Sequence, residues 1–184
     1  KLWLIGGKLG DITNKEGNLI GMSNDVWSST DGINWIEQTP SAAFLPRLGH
    51  QVVVYRNKLW LIGGFNLKDD GEIWSSRNGI EWIQEVSKTA FGFRNFSAAV
   101  TYHDQLWLIG GHALEGSRND VWSSVDGVNW MRKAEHTEFS ARWGHRVVNF
   151  NNQLLLIGGD SGTEQSPNQV QNDTWFSNNG FEWH

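Results

Sequence analysis

The hexapeptide Leu59–Gly64, LWLIGG, decides how this chain is read. It returns as LWLIGG at Leu106–Gly111 and as LLLIGG at Leu154–Gly159, and the chain itself opens on KLWLIGG, Lys1–Gly7. A self-similar phrase outranks any local prediction, because it sets the unit from which the fold is built. A second phrase follows each copy: DVWSSTDGINW (Asp25–Trp35), EIWSSRNGIEW (Glu72–Trp82), DVWSSVDGVNW (Asp120–Trp130) and DTWFSNNGFEW (Asp173–Trp183). A third precedes three of them: PRLGHQVVVY (Pro46–Tyr55), FRNFSAAVTY (Phe93–Tyr102) and ARWGHRVVNF (Ala141–Phe150).

The spacings are stricter than the letters. Trp27 to Trp35, Trp74 to Trp82, Trp122 to Trp130 and Trp175 to Trp183 are each 8 residues, and Trp35 to Gly64, Trp82 to Gly111 and Trp130 to Gly159 are each 29. Only the stretch after the glycine pair varies, from 8 residues (Phe65–Glu72) to 18 (Lys8–Asp25). Each unit is therefore a rigid core with one elastic loop.

Four strands account for the core: a (HQVVVY), b (LWLIGG), c (DVWSS) and d (INWIE). Strand b is apolar on both faces, as in a sheet covered on both sides. Strands c and d meet at Asp31-Gly32, Asn78-Gly79, Asp126-Gly127 and Asn179-Gly180, a strong hairpin signal because both residue types tolerate positive φ. Strands a and b join through short polar turns such as Arg56-Asn57-Lys58. No helical period is present.

A four-stranded antiparallel unit recurring every 47 to 57 residues cannot cover both its faces alone. Radial stacking does so, which predicts an all-β fold, a β-propeller, an architecture of roughly 4–8 blades. The blades run 1–46, 47–93, 94–141 and 142–184. The first holds strands b, c and d alone, so 15 strands are expected, with the innermost strand of blade 1 missing. This predicts a fragment of a larger propeller or copies that assemble, since open blade edges invite association. Lys1 in place of Met points to processing or excision.

Composition agrees and excludes other classes. The 184 residues carry 12 Trp against 2 Tyr, a surplus that large rigid side chains between blades explain. No apolar run approaches the ~18 residues of a membrane helix. The net charge of −5 argues against nucleic acid. With no cysteine, disulfides, thiolate metal sites and a cysteine nucleophile are excluded.

The glycine pair closing strand b, the Arg opening strand a and the Trp on strand d together resemble a kelch repeat, over essentially the whole chain. The Tyr usual on strand c is replaced by the Trp27, Trp74, Trp122 and Trp175 series, a variant that resembles those of bacterial secreted and surface proteins and implies an extracellular or periplasmic location. The SSTDGINW phrase is similar to the Asp box of sialidases, one residue short.

Alternating strand direction puts the d–a and b–c connections on one face of the propeller. Arg47, Arg94 and Arg142 stand at the d–a junction, where a ring of planar donors suits an anionic or polyhydroxy ligand. In kelch proteins that bind acidic peptides the Arg at this motif position contacts the ligand, so the resemblance implies the same. The competing reading has these arginines capping carbonyls or pairing with acids between blades. The residues after the glycine pairs, Lys8, Phe65, His112 and Asp160, vary inside a constant frame, as binding residues do; Phe65 can stack on a sugar. His50 and His145 are read as hydrogen-bonded residues of strand a. Asn-Asp pairs before strand c are read as Asx turns. The acids Asp11, Glu16, Asp160 and Glu164 lack calcium-loop spacing.

The expected function is a non-catalytic module binding a glycan, acidic peptide or protein, without cofactor, metal or catalytic residues. The alternatives are an enzyme of the sialic-acid epimerase kind, with His112, Arg47 and Arg142 as its candidates, and a structural segment of a larger surface protein.

Overall fold

The computed structural model describes residues 1–10, 21–66, 71–163, 166 and 169–184. Asp11, Glu16 and Glu164 lie outside them. The described residues form four antiparallel meanders and no helix. The first is β1 (Leu2–Lys8), β2 (Met22–Ser29) and β3 (Ile36–Thr39); the second is β4 (Gln51–Tyr55), β5 (Lys58–Ile62), β6 (Ile73–Ser76) and β7 (Ile83–Val86). The third is β8 (Ala98–Tyr102), β9 (Gln105–Ala113), β10 (Gly116–Ser124) and β11 (Met131–Ala134); the fourth is β12 (Arg146–Phe150), β13 (Gln153–Ile157) and β14 (Thr174–Ser177). Among the described residues there are thus 14 strands, not 15. In the fourth unit strand d is reduced to one pair, Phe176 and His184, which exchange N–H···O bonds of 2.9 and 3.0 Å.

Successive side chains of strand b point to opposite seams, and this alternation builds the propeller. Leu59 and Leu61 pack towards the preceding blade, with Ile5, Val26, Phe44 and Trp82. Trp60 and Ile62 pack towards the following one, with Tyr55, Phe91, Leu106 and Leu108. A third seam joins Trp107, Ile109, Leu154, Leu156, Phe139 and Trp183. Both faces are apolar because each meets a neighbour. Where a sheet has a neighbour on one side only, the other set is exposed: Leu2 and Leu4 in the first blade, Val148 and Ile157 in the last.

Three further devices repeat at the seams. A Cβ on Gly79, Gly127 or Gly180 would stand 2.1, 2.3 or 2.5 Å from the indole of Trp3, Trp60 or Trp107 of the preceding blade. The hairpin glycine is therefore a socket for the strand b tryptophan. The single O–H of Tyr55 is shared between the carbonyls of Asp104 and Val125, each at 2.8 Å, and that of Tyr102 between those of Asn152 and Asn178 at 3.0 and 2.7 Å. His50 and His145 donate from Nε2 to the carbonyls of Ile5 and Ile109 across the seam, at 2.9 and 3.2 Å.

The turns differ from expectation. Positive φ at both central residues marks the a–b turns, Arg56-Asn57, His103-Asp104 and Asn151-Asn152. In the c–d connection only the glycine has positive φ. There the Asp or Asn side chain closes the turn: Asp126 Oδ1 accepts from the backbone of Val128 and Asn129, and Ser124 Oγ accepts from Gly127 N. The short side-chain acceptors out-compete a two-residue hairpin.

Candidate functional site

The d–a links are anchored to the blades they enter. Phe44, Phe91 and Phe139 sit three residues before the arginines and are buried. Each meets the two tryptophans of the blade it enters edge-on: Phe91 to Trp122 at 6.0 Å and to Trp130 at 5.4 Å, with Phe44 and Phe139 repeating the arrangement. Burying a Phe contributes roughly 1.5–3 kcal/mol, which locks the link to the blade. Sequence reasoning missed these plugs, although the F-x-x-R spacing carries them.

Arg47, Arg94 and Arg142 are 0, 3 and 1% exposed. Their donors are directed inward. Arg94 Nη1 and Nη2 bind the Asp120 carboxylate at 2.6 and 2.9 Å, and Nη1 also reaches the Gly110 carbonyl at 3.1 Å. Arg47 pairs with Glu72 and the Gly63 carbonyl, and Arg142 with Asp173 and the Gly158 carbonyl. The same acids accept the indole N–H of Trp74, Trp122 and Trp175. The arginines thus tie strand a to strands b and c within one blade, not between blades, and present no open ring of donors. Two of the Asn-Asp pairs are correspondingly more than Asx turns: Asp120 and Asp173 are ion-pair partners, and Asn119 Nδ2 holds the link carbonyls of Thr137 and Phe139 at 3.0 Å. Burial raises the Asp120 carboxyl, but the hydrogen bonds and charge of Arg94 outweigh it and hold the carboxyl below its usual range. Asp173 is lowered to about 2, mainly by its hydrogen bonds to Arg142.

The glycine pair completes the frame. Gly64 N donates to the Arg94 carbonyl of the next blade at 2.8 Å, and Gly7 and Gly111 do the same to Arg47 and Arg142. A Cβ on Gly63 would lie 2.4 Å from the Arg94 carbonyl oxygen, and one on Gly64 2.6 Å from His50 Cβ. Both glycines have positive φ as well, so no other residue fits there without strain.

This frame places the variable residues at the inner rim. Phe65 pairs with Leu48, His112 with Asn95 and Asp160 with Trp143, each through two backbone hydrogen bonds of 2.8 to 3.1 Å. All three are half-buried; Lys8 pairs with Met22 in the first sheet and is exposed. The Phe65 ring meets Phe93 at 6.5 Å, and Asp160 Oδ1 accepts from Gly162 N. These residues occupy corresponding positions in successive blades. A cleft of about 680 Å³ lies between the 88–94 link and the β9–β10 hairpin. Lys88, Phe91, Ser117, Arg118, Arg132 and His136 are among its lining. Of the arginines expected at the site, only Arg94 borders the cleft. Among the described residues no group of three or more His, Cys, Asp or Glu is placed to hold a metal.

The fold and its loop face define a β-propeller domain, a scaffold for binding or structural roles. The chain belongs to the family of the DUF6242 beta propeller domain, whose model matches residues 1–125. Comparison with curated proteins finds no match. Among solved structures, the one titled "Structure of YjhT" is similar, with a TM-score of 0.70 and 19% identity. The alignment covers 99% of this chain and 66% of that one. The likeness is one of fold, shared by 211 matching chains, and carries no activity with it.

Proposed function

We propose that the domain is a non-catalytic, kelch-type glycan-binding module that takes its ligand on the face formed by the d–a links and b–c loops. The observation that carries this reading is the cleft beside Arg118 and Arg132. Its size suits a small ligand, and polar and charged side chains make up more than half of its lining. Its chemistry favours a polyhydroxy ligand over an acidic peptide. Arg94, Arg118 and Arg132 are each paired, with Asp120, Glu115 and Glu135. Among the described lining residues that leaves Lys88 as the cation without a carboxylate, so net attraction for an acid is weak. Alternating donors and acceptors instead match hydroxyl groups, which both give and accept hydrogen bonds.

An array of neutral and acidic glycans, with acidic peptides as a second arm, tests the reading. Glycan retention that is weakened at least tenfold by Arg132→Ala supports it. Retention of acidic peptides alone, or of nothing, overturns it.

A further inference from the structure

One residue in the frame breaks the pattern of its siblings. The motif after the link arginine reads Arg47-Leu48-Gly49-His50 and Arg142-Trp143-Gly144-His145, but Arg94-Asn95-Phe96-Ser97 in the blade between. Gly49 and Gly144 have φ of 66° and 69°; Phe96 holds the same left-handed conformation, at 48°. For a bulky aromatic residue that is a genuine outlier, and such strain persists where the surroundings and a function hold it.

The surroundings do hold it. Phe96 N donates to the Gly49 carbonyl at 2.7 Å, and Gly144 N donates to the Phe96 carbonyl at 2.8 Å. Three successive d–a links are joined through this residue. Its ring rests on Gly49, where a Cβ would be 3.1 Å away, and meets the Trp143 ring at 5.5 Å and 52°. Both rings are half-buried. On the other side, a Cβ at the exposed Gly144 would meet nothing within 4 Å, so the space there is open. Polar groups flank the pair: His112, bridged to Asn95, and Asp160, bridged to Trp143. The Oδ1 of Asn95 is buried and has no hydrogen-bond partner.

We infer that Phe96 and Trp143 form an aromatic platform at the inner rim that stacks on the C–H face of a pyranose ring, with Asn95, His112 and Asp160 addressing its hydroxyls. The site is separate from the outer cleft, although it rests on the reading of the domain as a glycan binder. The left-handed backbone aims the ring where an ordinary φ does not, which accounts for a Phe in a glycine position.

The test is Phe96→Gly, which installs the residue of the two sibling blades and relieves the strained φ. Cellopentaose is the probe, because its equatorial β-linked rings offer flat C–H faces; binding is read by calorimetry and folding by the melting temperature. The expected result is at least a tenfold loss of cellopentaose affinity with an unchanged or higher melting temperature. Trp143→Ala weakens binding likewise. Unchanged affinity in Phe96→Gly, or a melting temperature lowered along with affinity, overturns the platform. Wild-type protein that ignores cellopentaose while retaining other glycans overturns the platform and leaves the glycan-binding reading standing. Retention of no glycan removes both.

Discussion

Alanine at Gly127 and at Gly32 separates two reasons for the same glycine. The two residues have nearly the same φ, 82° and 78°. Alanine in that region costs about 1–2 kcal/mol at either site. The surroundings differ. A Cβ at Gly127 would sit 2.3 Å from Trp60, whereas at Gly32 the nearest atom is Leu2 Cδ1 at 3.4 Å. Over-packing a filled seam adds about 1–3 kcal/mol. Gly127→Ala is thus expected to cost roughly 2–5 kcal/mol, a fall of roughly 4–20 °C in melting temperature for a chain of this size. Gly32→Ala should show the φ cost alone. Scanning calorimetry of both variants measures the difference, and Trp60→Leu, the residue that unit four carries as Leu155, supplies a cycle. Combined with Gly127→Ala it should be less damaging than the sum by about 1–3 kcal/mol. Equal losses at the two glycines, with an additive cycle, would refute the socket and leave backbone conformation as the whole reason for the Asp-Gly and Asn-Gly turns.

Two further outcomes follow from the buried charges. Asp120→Asn keeps an acceptor for the Trp122 indole but leaves Arg94 buried without its counter-charge; urea unfolding should show a loss of about 3–5 kcal/mol, and a loss below about 1 would show that the carbonyls alone satisfy the guanidinium. Burial, together with the nearby charges of Arg47 and Arg142, pushes the imidazoles of His50 and His145 down from 6.5 to about 4. The unfolded chain then binds more protons than the folded one below pH 6.5, so stability falls as the pH drops from 6.5 towards 4. The loss is about 2 kcal/mol per histidine at pH 5. Asp126 and Asp173, lowered to about 2, stay charged in the fold through this window. Melting temperature should therefore decline between pH 7 and 5, and His50→Ser with His145→Ser, the residue at Ser97, should flatten the decline. A flat wild-type profile contradicts the buried neutral imidazoles.

Much of the face was legible because it is periodic. The Arg47, Arg94 and Arg142 series, and the glycine pairs, could be aligned by eye. Their direction could not, since a guanidinium at a loop junction reads the same whether it faces a ligand or Asp120. The Phe44, Phe91 and Phe139 plugs passed unnoticed because their partners, such as Trp122 and Trp130, come from the far side of the following blade. Phe96 was visible only as a letter differing from glycine; its conformation comes from the backbone bonds to Gly49 and Gly144.

The sequence by itself determined the unit, its four-strand order, the invariant Trp spacings and the loop that varies, because hydrophobic period and turn residues act over a few neighbours. The tertiary structure alone decided where each repeated side chain is spent. A tryptophan of one blade fills the glycine socket of the next, an arginine turns inward to its acid, and a phenylalanine takes a glycine's backbone. Those outcomes depend on which surfaces meet within and between blades, and contact between residues some 20 to 76 positions apart leaves no local mark in the chain.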